Sequence, residues 1–272
     1  MRAELERVQT LVLSGDKSAF QRFLELSFRL GNSSAFYGFK ELSYQKGKDS
    51  KYVQSFLDEL NTEMQLKCAR EIIDEVGIEN AGFVQVYIDE NGNEVKTNGI
   101  SILTLLRYNL RDNSKIFLVY PFEIELCWNR ELVRLFACDC AEYVLPFFEN
   151  VCTDDNRPRN AIKVSRLFAL GKVYLGKLNN ARVAAENVAL NNAQLRDGNR
   201  EGKNAAWSAA KVAVWNVSNS AAWNNSTIWN NNRINDSSNK TESDWQIRKL
   251  LEYLLEEITL EDAKELYGTK TS

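Results

Sequence analysis

The stretch Phe136–Ile162, FACDCAEYVLPFFENVCTDDNRPRNAI, decides how the rest of the chain is read. It holds three cysteines, five carboxylates, two arginines and two prolines. Catalysis, metal binding and plain packing all use such residues. From Arg130 the apolar residues recur at helical spacing as far as Pro146, which should bend the helix because it lacks an N–H and its ring meets the carbonyl four residues back. A second helix starts near Arg157: Asp154 or Asp155 stands where a cap belongs and Pro158 falls in the first turn. Asp139 and Glu142, three apart on one face of the first helix, are then placed to receive Arg157 and Arg159 of the second. The predicted network of Asp139, Glu142, Asp154, Asp155, Arg157 and Arg159 is read as structural, and as a surface a partner could use. The other chemistry open to paired carboxylates is glycosidase-type acid and base work. Helix-start grammar explains the same residue types without a substrate.

Other routes to chemistry are narrowed by composition. The chain has no histidine, which removes the commonest general base, the Ser-His and Cys-His pairs and the commonest metal ligand. Cys127, Cys138, Cys140 and Cys152 lack Cys-x2-4-Cys spacing, and on a helix Cys138 and Cys140 point about 200° apart. They are read as small buried residues. No Gly-rich phosphate loop and no hydrolase or kinase motif appears. No catalytic residue, cofactor or metal is therefore predicted.

Outward from this stretch the chain reads as mainly α, a helical array with one small β-hairpin near residues 83–97. Residues 1–76 show four helices: one ended by Ser14-Gly15, one restarting with Ser18 and Gln21 at capping-box spacing, one over about 34–45, and a long fourth running to Gly77. FVQVYIDENGNEV (83–95) alternates about Asn91-Gly92, a hairpin signal. A helix through residues 100–110 follows. KIFLVYPFEIELCW (115–128) has an ambiguous period, and Pro121 forbids one continuous helix through it. Further helices are expected over 157–170, 180–195, 245–258 and 260–267. The division expected is an acidic, mainly helical region 1–129 with the hairpin, and a helical domain 130–272.

Residues 205–229 repeat Trp207, Trp215 and Trp223 every eight positions, which spirals them about 80° per step. Ala206, Ala210, Ala213, Val217 and Ala221 instead form one narrow stripe that another helix can approach. This helix is expected inside the array, with an exposed, partner-binding platform of the three Trp as the alternative. Charge is segregated: residues 1–156 carry -8, 157–240 carry +9 and 241–272 carry -4. Acidic and basic surfaces meeting within one fold would account for this, as would a basic face for an acidic partner. No apolar run approaches the roughly 20 residues of a membrane span, and the first 20 residues lack the three-part pattern of a secretory signal. Five cysteines, an odd number, fit a reducing cytoplasm better than a disulfide framework.

The sequence also resembles a family, the immunity proteins of bacterial polymorphic toxin systems. The resemblance rests on Asp139, Cys140, Ala141, Glu142, Val144, Leu145 and Pro146, then Asp154, Asp155, Arg157, Pro158, Arg159, Ala161 and Ile162. The family's Ala-Ala-Trp repeat stands as Ala205-Ala206-Trp207 and Ala221-Ala222-Trp223, and its closing pattern as Trp245, Gln246, Leu250, Tyr253 and Leu254. The family's repeats are more Ala-dominated and often contain histidine; here Asn, Ser and Val intervene. The resemblance covers about residues 130–255. It implies a non-enzymatic, cytoplasmic protein that binds a cognate toxin, a nuclease being one candidate target, with no membrane partner. The competing function is nucleic-acid binding by the basic, Trp- and Asn-rich segment 157–240, against which stands a pI near 5.4.

Overall fold

The hairpin marked by Asn91-Gly92 is present. In the computed structural model, which describes residues 1–31, 35–102, 104–105, 114–119, 122–191, 203, 205–207, 209–210, 237–256 and 259–268, β1 (Phe83–Ile88) runs antiparallel to β2 (Glu94–Lys96) with Tyr87 opposite Val95. Gly92 takes φ +83°, a left-handed conformation free of Cβ strain only in glycine. Asp89 closes the turn by accepting the backbone N–H groups of Asn91 and Asn93.

The hairpin is half of a sheet, and this extends the sequence reading. β3 (Lys115–Leu118) and β4 (Ile124–Leu126) form a second antiparallel pair, and the strand order is β2-β1-β3-β4. The ambiguous stretch is thus extended: Ile116, Leu118, Ile124 and Leu126 are buried while Lys115 and Glu125 are exposed. Pro121 lies outside the described residues. Of the helix expected over 100–110, Ile102, Thr104 and Leu105 are helical; residues 103 and 106–110 lie outside the described residues.

The chain divides into two compact units, the first being Met1–Val84, Thr97–Ile102 and Ile116–Leu126, the second Gln85–Lys96, Leu103–Lys115 and Cys127–Ser272. The first unit holds α1 (Arg2–Leu13), a 3-10 turn (Lys17–Ala19), α2 (Phe20–Arg29), α3 (Ala35–Gln45), α4 (Ser50–Leu57) and α5 (Thr62–Val76). Its core is aromatic. Phe20 packs on Phe39 and Phe56 with ring centroids 4.5 and 5.1 Å apart, contacts that add about 0.5–1.5 kcal/mol each beyond the area they bury. Two expectations are corrected here. The restart before α2 is capped by Asp16, which accepts the Ser18 N–H, and not by a Ser18–Gln21 box. The long fourth helix is two helices, because the Asn61 side chain accepts the Met64 N–H and starts α5 afresh.

The second unit is built on α6 (Arg130–Val144), whose start is capped by Asn129 accepting the Leu132 N–H. Every residue from Leu132 to Ala141 is buried, so the middle of α6 is enclosed all round. Pro146 does more than bend the helix: α6 stops at Val144 and Pro146 opens a new turn, α7 (Pro146–Glu149). α8 (Arg157–Ala169) packs on α6 and on α9 (Leu175–Asn191); α10 (Ser237–Leu254) packs on α6, and α11 (Leu260–Gly268) on α8. Ala206 and Ala210 are fully buried, and Ala210 and Trp207 join Ala161, Val164, Leu178, Ala181 and Ala185 in one apolar cluster. The expected small-residue stripe therefore begins as read. Its continuation through Ala213, Val217 and Ala221, with Trp215 and Trp223, lies outside the described residues. Among the described residues no helix is long and apolar enough to cross a membrane.

Candidate functional site: a buried arginine and its carboxylates

Asp139 lies deep in α6, where a free carboxylate would cost several kcal/mol. It is 8% exposed. Both its oxygens are used: Oδ1 accepts Arg166 Nη2 at 2.8 Å and Oδ2 accepts the Tyr253 hydroxyl at 2.8 Å. Arg166, on α8, is 6% exposed, and the same Nη2 also pairs with Glu142 Oε2. The Tyr267 ring of α11 lies against the guanidinium, 4.5 Å from carbon to centroid, a cation–π contact strengthened by desolvation. Phe136 packs edge-on against Tyr253 at 6.0 Å. Four helices, α6, α8, α10 and α11, thus meet around the Asp139–Arg166 pair.

The electrostatics follow from this packing. Burial opposes the charge on Arg166, but the neighbouring carboxylates of Glu142 and Asp139 outweigh it and hold the guanidinium above its ordinary value. Burial, reinforced by the charge of Asp139, drives the Tyr253 hydroxyl far above the usual phenol range and raises Tyr267 as well. Tyr253 is therefore a permanent donor. Burial pushes Cys138 up to about 12, so at neutral pH it is a thiol and not a nucleophilic thiolate. Cys140 and Cys152 are also buried. Among the described residues no group of three or more His, Cys, Asp or Glu could hold a metal ion.

Of the six residues read as a network, the structure joins some and separates others. Glu142 meets Arg159 at 3.5 Å, and Arg159 forks onto Glu149 at 2.6 and 2.7 Å. Arg157 turns back to Asp155 at 2.9 and 2.6 Å, and Asp155 also accepts the Arg157 backbone N–H at 3.2 Å. That pairing lowers the Asp155 pKa below the usual carboxylate range and raises that of Arg157. Asp154 is exposed. Asp139 takes neither Arg157 nor Arg159; its partner is Arg166. Sequence reasoning missed Arg166 and Tyr253 as polar partners, although Arg166 stands seven residues after Arg159, two turns along the same helix face. It also missed Arg134, 2% exposed, whose guanidinium lies 4.8 Å from the Phe168 ring centre.

The aromatic candidates divide similarly. Trp207 is partly buried against the Ala161/Leu178/Ala210 cluster. A surface aromatic pair among the described residues is Tyr143 stacked on Trp245, 4.3 Å apart. The face that includes Gln246, Leu250, Tyr253 and Leu254 points into the core, all four being buried.

Residues 128–253 match the family described as "Imm-5 like putative immunity protein". The immunity-like segment spans a little under half of the 272 residues and takes in α6, α7, α8, α9 and nearly all of α10. It therefore supplies Asp139, Glu142, Arg166 and Tyr253. Tyr267 on α11 and the whole first unit lie outside it. No curated protein and no solved structure matches the chain.

Proposed function

We propose that this chain is a non-enzymatic immunity protein that neutralises a cognate bacterial toxin domain by stoichiometric binding in the cytoplasm of the cell that makes it. The observation that carries the reading is the match of residues 128–253 to the immunity family. The buried arginine network supports it, since both oxygens of Asp139 are taken up by Arg166 and Tyr253 and Arg166 also pairs with Glu142, an arrangement that makes a scaffold instead of a reactive cleft. In this reading residues 130–272 are the shared helical domain and residues 1–129 set which toxin is bound. Were the toxin a nuclease, the net charge of -8 on residues 1–156 would oppose its basic substrate cleft and speed association at low salt.

The test is capture of the tagged full chain from lysate of its source, with and without nuclease treatment. The expected result is one co-purifying polypeptide, at one-to-one ratio, that is toxic when expressed alone and harmless when co-expressed with this protein. A polypeptide that stays toxic on co-expression overturns the proposal. So does recovery of nucleic acid alone, with an affinity falling steeply with salt, which would assign the +9 segment 157–240 to nucleic-acid binding.

A further inference from the structure

We propose that Glu71 makes the α3–α5 contact of the first unit a pH-set joint, tight while its carboxyl is protonated and loosened as it ionises. Glu71 stands in the last half of α5 and is 8% exposed. Its Oε2 accepts the backbone N–H of Phe36 at 2.9 Å. Phe36 is the second residue of α3, where helix amides have no partner of their own, so a side chain 35 residues away in sequence caps this helix. The other oxygen, Oε1, is buried and has no hydrogen-bond partner among the described residues.

What distinguishes the site is that, among the described residues, no compensating cation faces this buried acid. On α5 the titratable groups whose fields couple to Glu71 are Asp74, which repels it, and the buried thiol of Cys68, itself raised by burial and by Glu71. From α3 it meets the backbone amides of Ala35 and Phe36. Lys40 of α3 has its ammonium over the rings of Tyr37, Tyr44 and Phe122. β4, also packed on α5, carries the exposed Glu125, with Glu123 just before it, and no cation. Burial therefore wins over the two amides and, with Asp74 adding to it, raises Glu71 to about 7.

The direction of the effect is fixed by this sign. Glu71 binds its proton more tightly folded than unfolded, where its value is about 4.5. Stability from this group is therefore full in mild acid, falls as pH rises from about 4.5 to 7, and levels off above that. The Phe36 ring packs edge-on against Phe122 at 5.5 Å, so loosening at the start of α3 reaches the residues that lead into β4.

Carbon NMR of the Glu71 side-chain carboxyl in the full chain tests this directly. A titration midpoint near 7 is expected, and an ordinary midpoint near 4.5 overturns the proposal. Thermal melts of the wild type and Glu71→Gln then separate the joint from a general acid effect. The variant should melt several degrees above wild type at about pH 8 and level with it at about pH 5. An offset equal at both pH values, or a variant less stable at pH 8, would sink the idea. Should Glu71→Gln fail to fold, hydrogen-exchange protection of the Phe36 amide in the wild type decides: it must fall between about pH 5 and 8, and a constant value overturns the joint.

Discussion

Asp139 and Glu71 are buried to the same extent, 8% exposed each, and their surroundings give them opposite roles. Asp139 faces a guanidinium and a phenol, so both of its oxygens are satisfied as a charged group. Glu71 faces two backbone amides, a repelling Asp74 and, on Oε1, no hydrogen-bond partner among the described residues. Equal burial thus makes one carboxylate a clamp and the other a proton-sensitive weak point. What separates them is whether a neighbouring helix brings a cation, which decides whether Coulomb attraction answers the desolvation cost.

This contrast can be broken most forcefully at the clamp. Asp139→Ala leaves Arg166 as a buried charge with Glu142 as its one remaining counter-charge among the described residues, and a loss of about 3–5 kcal/mol is expected in urea unfolding. A loss under about 1 kcal/mol would show that the pair is not a clamp. Tyr253→Phe removes one hydrogen bond to a buried carboxylate without changing the ring that packs on Phe136. It should cost about 1.5–3 kcal/mol, and an unchanged midpoint would mean that water or another donor takes its place. At the other carboxylate the sign reverses: above about pH 8, Glu71→Gln should gain on the order of 1–3 kcal/mol, the linkage equivalent of its raised pKa. The smallest effect belongs to Arg157→Ala. Sequence reading placed Arg157 in the buried network, where 3–5 kcal/mol would be lost. The structure leaves its side chain 48% exposed on Asp155, so a change within about 1 kcal/mol is expected. A loss of several kcal/mol would restore the sequence-based arrangement.

Local features were legible where their cause was local. The hairpin was readable because Gly92 and Asp89 make the turn within five residues. The ends of α2, α5 and α8 were readable from Gly31, Gly77 and Gly171, each found at positive φ. The break between α4 and α5 was missed because the apolar pattern runs on through it, while the Asn61 cap that stops it is one side chain. The second strand pair was left open for a related reason: the strand and flank residues alternate too briefly to fix a period. The candidate site was legible in composition and not in pairing. Asp139, Glu142 and Arg159 were identified, but Arg166 was read as one more residue of an amphipathic helix.

The sequence by itself determined that the chain is mainly helical, that its thiols and carboxylates lack the partners of common catalysts, and that one segment has the pattern of an immunity family. These follow from periodicity, residue type and spacing, which act over a few residues. Only the tertiary structure decided which arginine meets Asp139, that Tyr253 from 114 residues away completes it, and that Glu71 meets no cation among the described residues. Ion-pair choice inside a fold depends on which helix faces cross and how much water they exclude, and neither quantity is a property of any single segment.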